Sequence, residues 1–277
     1  MNIHNAIRRL TGVSTAPESD VKHLLAYVLE MPVGSLLWHD VRLSVTQERL
    51  FEACMMRRLA GEPVAYIIGC WDFMGLELAL NADTLIPRPE TEELVDLVLG
   101  CGSMDHTKSL KVLDMGTGSG AIAIALAKQR TCWQLTAIDK VQGALNMAIQ
   151  NAQRHHVASQ IQFACVDWHN WQPCISFDVV VANPPYIAWG DQDVLQDVAQ
   201  FEPQDALYAA ENGFADCYAI LDNISAYLVK GGHIFMEHGW QQSDRLKDYA
   251  MGCGYSDVVS VLDVTGKKRF LVARYGS

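Results

Sequence analysis

Asn183, Pro184, Pro185 and Tyr186 stand together directly after Phe177-Asp178-Val179-Val180-Val181-Ala182, an apolar, β-branched run. The run reads as a buried strand. Two prolines cannot extend a sheet ladder, so the strand must stop before them. Asn183 is thereby left at the carboxyl end with its side-chain amide free, and Tyr186 supplies a ring shortly after. A primary amide, a rigid backbone lacking N–H donors at the prolines and an aromatic face form a clamp for a planar NH2 group. The same residues also suit a plain strand-ending turn, because Asn-Pro commonly opens turns.

A second constellation is Val112-Leu113-Asp114-Met115-Gly116-Thr117-Gly118-Ser119-Gly120, followed by the Ala-rich run from Ala121 to Lys128. It reads as a short strand, a glycine turn and a helix. Glycines allow close backbone approach and positive φ, and a helix start offers unpaired N–H groups. The spacing is Gly-x-Gly-x-Gly, not the Gly-x-Gly-x-x-Gly of dinucleotide folds, which argues against a nicotinamide dehydrogenase. Asp114, two residues before the first glycine, would repel a pyrophosphate and suits a cationic or amino-acid-bearing ligand. Asp139 closes an expected strand over residues 131–138, about 20 residues past the turn, where an acid accepts ribose hydroxyls. Asp167-Trp168 closes another, Ile161 to Val166. Taken singly, each carboxylate reads first as a helix cap or a solvated loop residue. Four successive strands ending in polar or glycine-rich groups match the way open α/β sheets bind ligands.

These residues need a scaffold. The region up to about residue 65 reads as helical. Apolar residues recur at three and four through Asp20 to Leu29, with Ser19 or Asp20 as cap, and again through Thr46 to Leu59, stopped by Gly61 and Pro63. Trp38 and Met55-Met56 read as core or groove lining. Tyr66 to Leu80, around Gly75, suggests a hairpin. Pro89 suits a first helical position, and Glu90, Glu92 and Glu93 favour that helix start; a ligand role for them stays open. From residue 110 strands alternate with helices, which implies a mostly parallel sheet. Gly232 to Glu237 is a fifth strand, and Val258–Leu262 with Phe270–Arg274 would be closing strands around Thr265-Gly266.

The 277 residues are half hydrophobic and 19% charged, as for a globular protein. The longest apolar stretch, Ala121 to Ala127, is too short to span a membrane, and the start lacks a signal-peptide core. Eight cysteines without a Cys-x-x-Cys pair argue for reduced thiols in the cytoplasm and against a metal site. His155-His156 reads as a surface pair at a helix end. A net charge of −11 disfavours duplex DNA binding. The dense basic clusters Arg8-Arg9, Arg57-Arg58 and Lys267-Lys268-Arg269 read as solvated faces. His238 is assigned no role.

Taken together, the glycine turn, Asp139, Asp167-Trp168 and Asn183-Pro184-Pro185-Tyr186 resemble the class I methyltransferase pattern. Leu85-Ile86-Pro87-Arg88-Pro89-Glu90-Thr91-Glu92, Phe201-Glu202-Pro203 with Ala206-Leu207, and Asp263 to Arg269 narrow the resemblance. With the helical start, the chain is similar to the peptide chain release factor glutamine methyltransferase (HemK/PrmC) family along essentially its whole length. The resemblance implies an α/β fold: a seven-stranded, mostly parallel, Rossmann-like methyltransferase sheet over residues 85–277. A hairpin linker at 66–84 and a helical substrate-recognition domain at 1–65 would precede it. It implies S-adenosylmethionine as cofactor, with S-adenosylhomocysteine as product. Asp114, Gly116, Thr117, Gly118, Ser119 and Gly120 would lie at the methionine moiety, Asp139 at the ribose and Asp167-Trp168 at the adenine. Asn183 would border both cofactor and substrate. Asn183, Pro184, Pro185 and Tyr186 would hold the substrate amide, and Tyr208 or Phe201 would help pack it. The implied partners are class I release factors, methylated at the glutamine of their Gly-Gly-Gln motif, with neither a membrane nor nucleic acid bound directly. The alternative sharing the same clamp is an adenine-specific nucleic-acid methyltransferase. The roles of Glu90 and Glu202 are left open.

Overall fold

The computed structural model describes residues 17–38, 42–105, 107–192 and 195–276. Arg8-Arg9 and the first part of the expected helical region lie outside the described residues. The chain divides into two compact units, residues 1–70 with 194–201, and residues 71–193 with 202–277.

The first unit contains α1 (Glu18–Val28), α2 (Val45–Leu59), α3 (Val64–Ile68) and the helix Gln196–Phe201. The apolar stripe of α1 is fully buried at Val21, Leu24 and Leu25, as is Phe51 of α2. α2 starts in a capping box. The Gln47 backbone N–H donates to Ser44 Oγ at 3.3 Å, and the Ser44 N–H donates to Gln47 Oε1 at 2.9 Å. Several expectations fail here. The residue that caps α1 is Pro17, and no side chain caps it; Asp20 is engaged by Arg58. Arg57-Arg58 is not a solvated basic face: Arg58 lies 2.6 Å from Asp20 and 2.9 Å from Asp197, and Arg57 pairs with Glu62. Met55 is buried, but Met56 and Trp38 are exposed, Trp38 at 84%. Residues 66–68, expected at the start of the hairpin, belong to α3 instead.

β1 (Cys70–Phe73) starts at the last residue of the 1–70 segment and runs into the second unit, where β2 (Leu76–Ala79) follows. Met74 and Gly75 between them both take positive φ, which matches the twist of the flanking strands. Then follow α4 (Pro89–Leu99), β3 (Lys111–Met115), α5 (Ala121–Gln129), β4 (Gln134–Asp139), α6 (Gln142–Arg154), β5 (Ile161–Cys165) and β6 (Phe177–Ala182). The short β7 (Ile187–Ala188) and β8 (Tyr208–Ala209) pair with each other. α7 (Ala215–Ile224), β9 (Leu228–Glu237), α8 (Ser243–Gly252), β10 (Tyr255–Leu262) and β11 (Lys268–Tyr275) complete the chain.

Seven strands form one sheet in the order β10-β11-β9-β6-β3-β4-β5. Only β11 runs antiparallel to its neighbours. Both faces are covered, and alternate residues of a strand enter opposite cores. Val112, Val179 and Val181 lie on one side; Leu113, Met115, Val180 and Ala182 lie on the other. β4 starts at Gln134 rather than Thr131, because the Trp133 N–H turns back to the Arg130 carbonyl and Trp133 fills the core below the strand. β9 extends four residues further back than expected, to Leu228.

Buried Asn151 of α6 stitches three parts together. It exchanges two hydrogen bonds with the Ala79 backbone and donates to the Ser119 carbonyl at 2.9 Å. Among the described residues no helix is long and apolar enough to cross a membrane.

Gly120 precedes α5 at φ 87°, and a Cβ there would stand 2.8 Å from Ile124 Cδ1 and 3.2 Å from the Ala148 backbone. Both strain and overlap oppose a side chain. Gly120→Ala should therefore destabilise the protein by about 2 kcal/mol or more in urea unfolding; an unchanged midpoint would contradict this packing.

Candidate active site

Strands β6, β3, β4 and β5 are adjacent and parallel, so their carboxyl ends share one edge. The chain steps outward from β3 to β4 and β5, then returns to the other side of β3 as β6. Such a reversal leaves a crevice outside the strand ends. A cleft there is lined by Gly116, Gly118, Asp139, Trp168, Asn183 and Pro185, all expected from sequence. Its other walls, Asp83, Leu85, Lys140, Val141, Pro203, Asp205 and Ala206, include residues the motifs did not single out.

The glycine turn is anchored from beneath. Asp114 points toward α5, where its Oδ2 accepts the Thr117 hydroxyl at 2.7 Å and the Ala123 N–H at 3.2 Å. It is fully buried, and its Oδ1 has no partner. Burial pushes this carboxyl up to about 7; the Thr117 and Ala123 bonds oppose the rise and the Asp139 charge adds to it. Asp114 is thus a strut under the turn, away from the cleft surface. Thr117, Ser119 and Gly120 are buried with it. Gly116 and Gly118 face the cleft. A Cβ on Gly116 would stand 3.1 Å from the Trp168 ring, whereas one on Gly118 would meet nothing within 4 Å.

Asp139 bridges the turn and the start of α6. Its Oδ2 accepts the Gly118 N–H and its Oδ1 the Val141 N–H, both at 2.9 Å. Burial raises its pKa and these backbone bonds oppose the rise. A carboxylate has about four acceptor positions, so these bonds leave room for a hydroxyl donor in the cleft. Lys140 at the rim pairs with Asp205 at 3.1 Å. Trp168 is buried against Gly116, but its neighbour Asp167 turns outward. Asp167 accepts the His169 backbone N–H at 3.0 Å, which with the His169 ring holds its pKa low. The cleft-facing member of that pair is therefore Trp168.

At the β6 end, Asn183 Nδ2 donates to Thr91 Oγ1 at 2.9 Å, and Thr91 Oγ1 donates to Glu237 Oε2 at 2.8 Å. The Tyr186 hydroxyl donates to Glu237 Oε1 at 3.0 Å. Glu237 is buried at the end of β9, and burial raises its carboxyl to about 7 against its two donors and the Arg269 charge. Tyr186 is raised as well, first by burial and then by the Glu237 charge. Pro184 is buried and Tyr186 half-buried, so the side chains of these two support the cleft wall from behind. The loop backbone is held too. Gln242 Nε2 donates to the Tyr186 and Gly213 carbonyls, each at 3.0 Å. A Cβ on Gly213 would fall 2.3 Å from the Tyr186 carbonyl oxygen. Neither Thr91 nor Glu237 stood out as a site residue in the sequence; the signals were the place of Thr91 in the 85–92 motif and a charged residue closing the apolar run Ile234-Phe235-Met236.

Glu202, of open role, is buried and accepts the Ile86 N–H at 3.1 Å while pairing with Arg88 at 2.5 Å. It fixes the segment leading into α4. Tyr208 stacks on Trp189, ring centroids 4.7 Å apart. Lys268 and Arg269 pair with Asp244 and Asp263, so they too are not a free basic face. His155 lies at the end of α6 with Nε2 2.8 Å from the Glu77 carbonyl, and His238 is buried with Nδ1 at the Gly239 carbonyl. Among the described residues no group of three or more His, Cys, Asp or Glu could hold a metal ion.

Residues 106–269 match the family model of a methyltransferase domain, and residues 3–69 match that of the PrmC N-terminal domain. The release factor glutamine methyltransferase of Shewanella oneidensis is 38% identical over 96% of this chain and 92% of its own. That of Escherichia coli K12 is 35% identical over 99% and 97%. The chain belongs to the release factor glutamine methyltransferase family. It is a methyltransferase, with S-adenosylmethionine as cofactor. A methyltransferase from Pyrococcus furiosus shares the fold, at TM-score 0.54 and 17% identity over 82% of this chain and 98% of that one.

The cleft of this family member fits such a cofactor. The open space at Gly118 admits close approach to the backbone, Asp139 keeps free acceptor positions for ribose hydroxyls, and Trp168, Val141 and Pro185 offer apolar surface.

Two outcomes follow. Asp139→Ala should weaken S-adenosylmethionine about tenfold or more in calorimetry, the loss of roughly 1.5–3 kcal/mol for a charged acceptor; unchanged affinity in a folded variant would remove Asp139 from the site. Asp114, whose folded pKa lies above the unfolded value, stabilises the fold most at low pH. That contribution is lost as pH rises from about 4 through about 7. Asp114→Asn should gain stability relative to the parent between pH 4.5 and 8, on the order of 2–4 kcal/mol in denaturant unfolding; parallel profiles would show that Asp114 does not titrate there.

Proposed function

We propose that this enzyme methylates the side-chain amide nitrogen of the glutamine in the Gly-Gly-Gln motif of class I peptide chain release factors. The observation that carries this reading is the orientation of Asn183. Its NH2 is committed to Thr91, so its oxygen is the end left to accept an N–H from a substrate in the cleft. An acceptor at that point suits a substrate that is itself a primary amide or an aromatic amine. Full-length similarity to release factor glutamine methyltransferases favours the amide.

Bound S-adenosylmethionine would supply a methyl group on a sulfonium, already activated toward nucleophiles. An amide nitrogen is a poor nucleophile because its lone pair is shared with the carbonyl. Asn183 Oδ1 accepting one N–H and the Pro184 carbonyl accepting the other would aim the nitrogen and favour the pyramidal form that develops during attack. Asn serves because its amide accepts without carrying charge. Orientation can lower the barrier by up to about 7–11 kcal/mol, and no general base is needed, since the proton can leave after transfer. The stacked aromatic pair of exposed Trp189 and half-buried Tyr208 follows the clamp in the chain and offers packing surface for the substrate loop.

A pocket that reads only a small amide discriminates weakly, so recognition of the whole release factor calls for a second surface. The helical region before residue 66 is the part of the chain available for it, and its exposed Trp38, Leu50 and Met56 suit protein contact. The net charge of −11 favours a basic protein partner over nucleic acid. Within this reading residues 1–65 recognise substrate, 66–84 link and 85–277 carry the chemistry, and the enzyme works in the cytoplasm.

Radiolabelled methyl transfer to a release factor, to its Gln→Ala variant at the Gly-Gly-Gln motif and to adenine-rich DNA tests the reading. Label is expected in the first alone; label in DNA, or equal label in the Gln→Ala protein, would favour the nucleic-acid enzyme or another side chain. Asn183→Ala should lower single-turnover rates by about two to three orders of magnitude while cofactor affinity falls far less. A rate within threefold of the parent would show that Asn183 is not the clamp.

A further inference from the structure

Thr91 is buried in the first turn of α4, far in sequence from both groups it joins. A threonine hydroxyl has one hydrogen to give. Glu237 takes the Tyr186 hydroxyl on one oxygen, and in its ionised form, which prevails above about pH 7, it can only accept on the other. The Thr91 hydrogen therefore goes to Glu237 at 2.8 Å, and the Thr91 oxygen is left as an acceptor. Only the NH2 end of Asn183 can satisfy it. Donation thus runs one way, from Asn183 to Thr91 to Glu237. A side-chain amide turned over by 180° has nearly the same shape and opposite polarity, so packing alone does not choose between its two orientations. The hydrogen-bond chain does.

We propose that Thr91, aimed by Glu237, is a positioning residue that fixes which end of the Asn183 amide meets the substrate. Resting on the clamp reading of Asn183, it adds a device that the four-residue motif lacks. Without the Thr91 oxygen, Asn183 is free to present NH2 to a substrate NH2, two donors facing each other. Such an arrangement forfeits the aimed acceptor without removing any residue that touches substrate or cofactor. Thr91 is buried and does not line the cleft, so the loss should fall on the rate of transfer and leave cofactor binding alone.

The test is single-turnover methyl transfer to a release factor by Thr91→Val, Thr91→Ser, Asn183→Ala and the Val/Ala double variant. S-adenosylhomocysteine affinity and thermal midpoint are measured for each. Valine keeps the shape and β-branching of threonine but has no hydroxyl. Thr91→Val should lower the rate about 10–100-fold, the range for loss of a group that orients a primary ligand, with S-adenosylhomocysteine Kd within threefold. Thr91→Ser, which restores the hydroxyl, should recover most of the rate. In the Asn183→Ala background Thr91→Val should cost nothing further, because no amide remains to orient; a merely structural role would cost the same in both backgrounds. If Asn183→Ala is crippled while Thr91→Val keeps its rate, or if the two losses multiply, the positioning role is overturned. If Asn183→Ala itself keeps its rate, the clamp reading falls first and the positioning role with it.

Discussion

Parallel strands that end on one edge, and a chain that reverses direction beside β3, are the constraint on which the rest depends. A parallel ladder forces every loop that follows β3, β4, β5 and β6 to the same side of the sheet. The reversal between β3 and β6 keeps the glycine turn and the Asn183 loop from being joined by a helix packed across them. What the chain places in those loops is then brought together without long-range design of each contact. The cost is that such strands are buried on both faces and tolerate few polar groups. Asp114 is one of them, and it sits inside a core of Val112, Ile122 and Val181.

Two carboxylates at neighbouring strand ends therefore do opposite things. Asp114 and Asp139 both receive backbone N–H groups and are both raised by burial. Asp114 spends its bonded oxygen on holding the turn to α5 and is closed off by it. Asp139 ties that turn to α6 while keeping one side on the cleft. Type and spacing made them look alike; what separates them is which way alternate side chains of a strand point. Asp114 shares its side with Val112, under a helix, while Asp139 is the last residue of its strand.

The parts that were legible in the sequence are those with short-range causes. Phe177 to Ala182 is a strand with the expected limits because β-branched residues precede two prolines. The glycine turn, the α4 start at Pro89 and the closing strands around Thr265-Gly266 were readable for the same kind of reason. Missed features depend either on partners distant along the chain or on single loop bonds that residue type does not signal. Arg58 looked like half of a solvated basic pair until Asp20 and Asp197 came within reach. Trp133 carried the apolar character of a strand residue but is needed in the turn that enters it. Thr91 and Glu237 lie 146 positions apart, and no local pattern links a threonine in a helix start to an acid at a strand end. The outward turn of Asp167 follows from the His169 N–H, a two-residue loop bond that composition does not reveal.

Gly213 and Gln242 show how little of the clamp resides in its own four letters. The Tyr186 carbonyl is gripped by an amide just before α8 and pressed by a glycine in a left-handed run with Glu211 and Asn212. Transplanting Asn183 to Tyr186 onto another sheet of this topology would carry over the letters and leave the geometry behind. The portable unit is a scattered set, drawn from a helix start, a strand end and two later loops, and a donor scaffold would have to supply all of it at once.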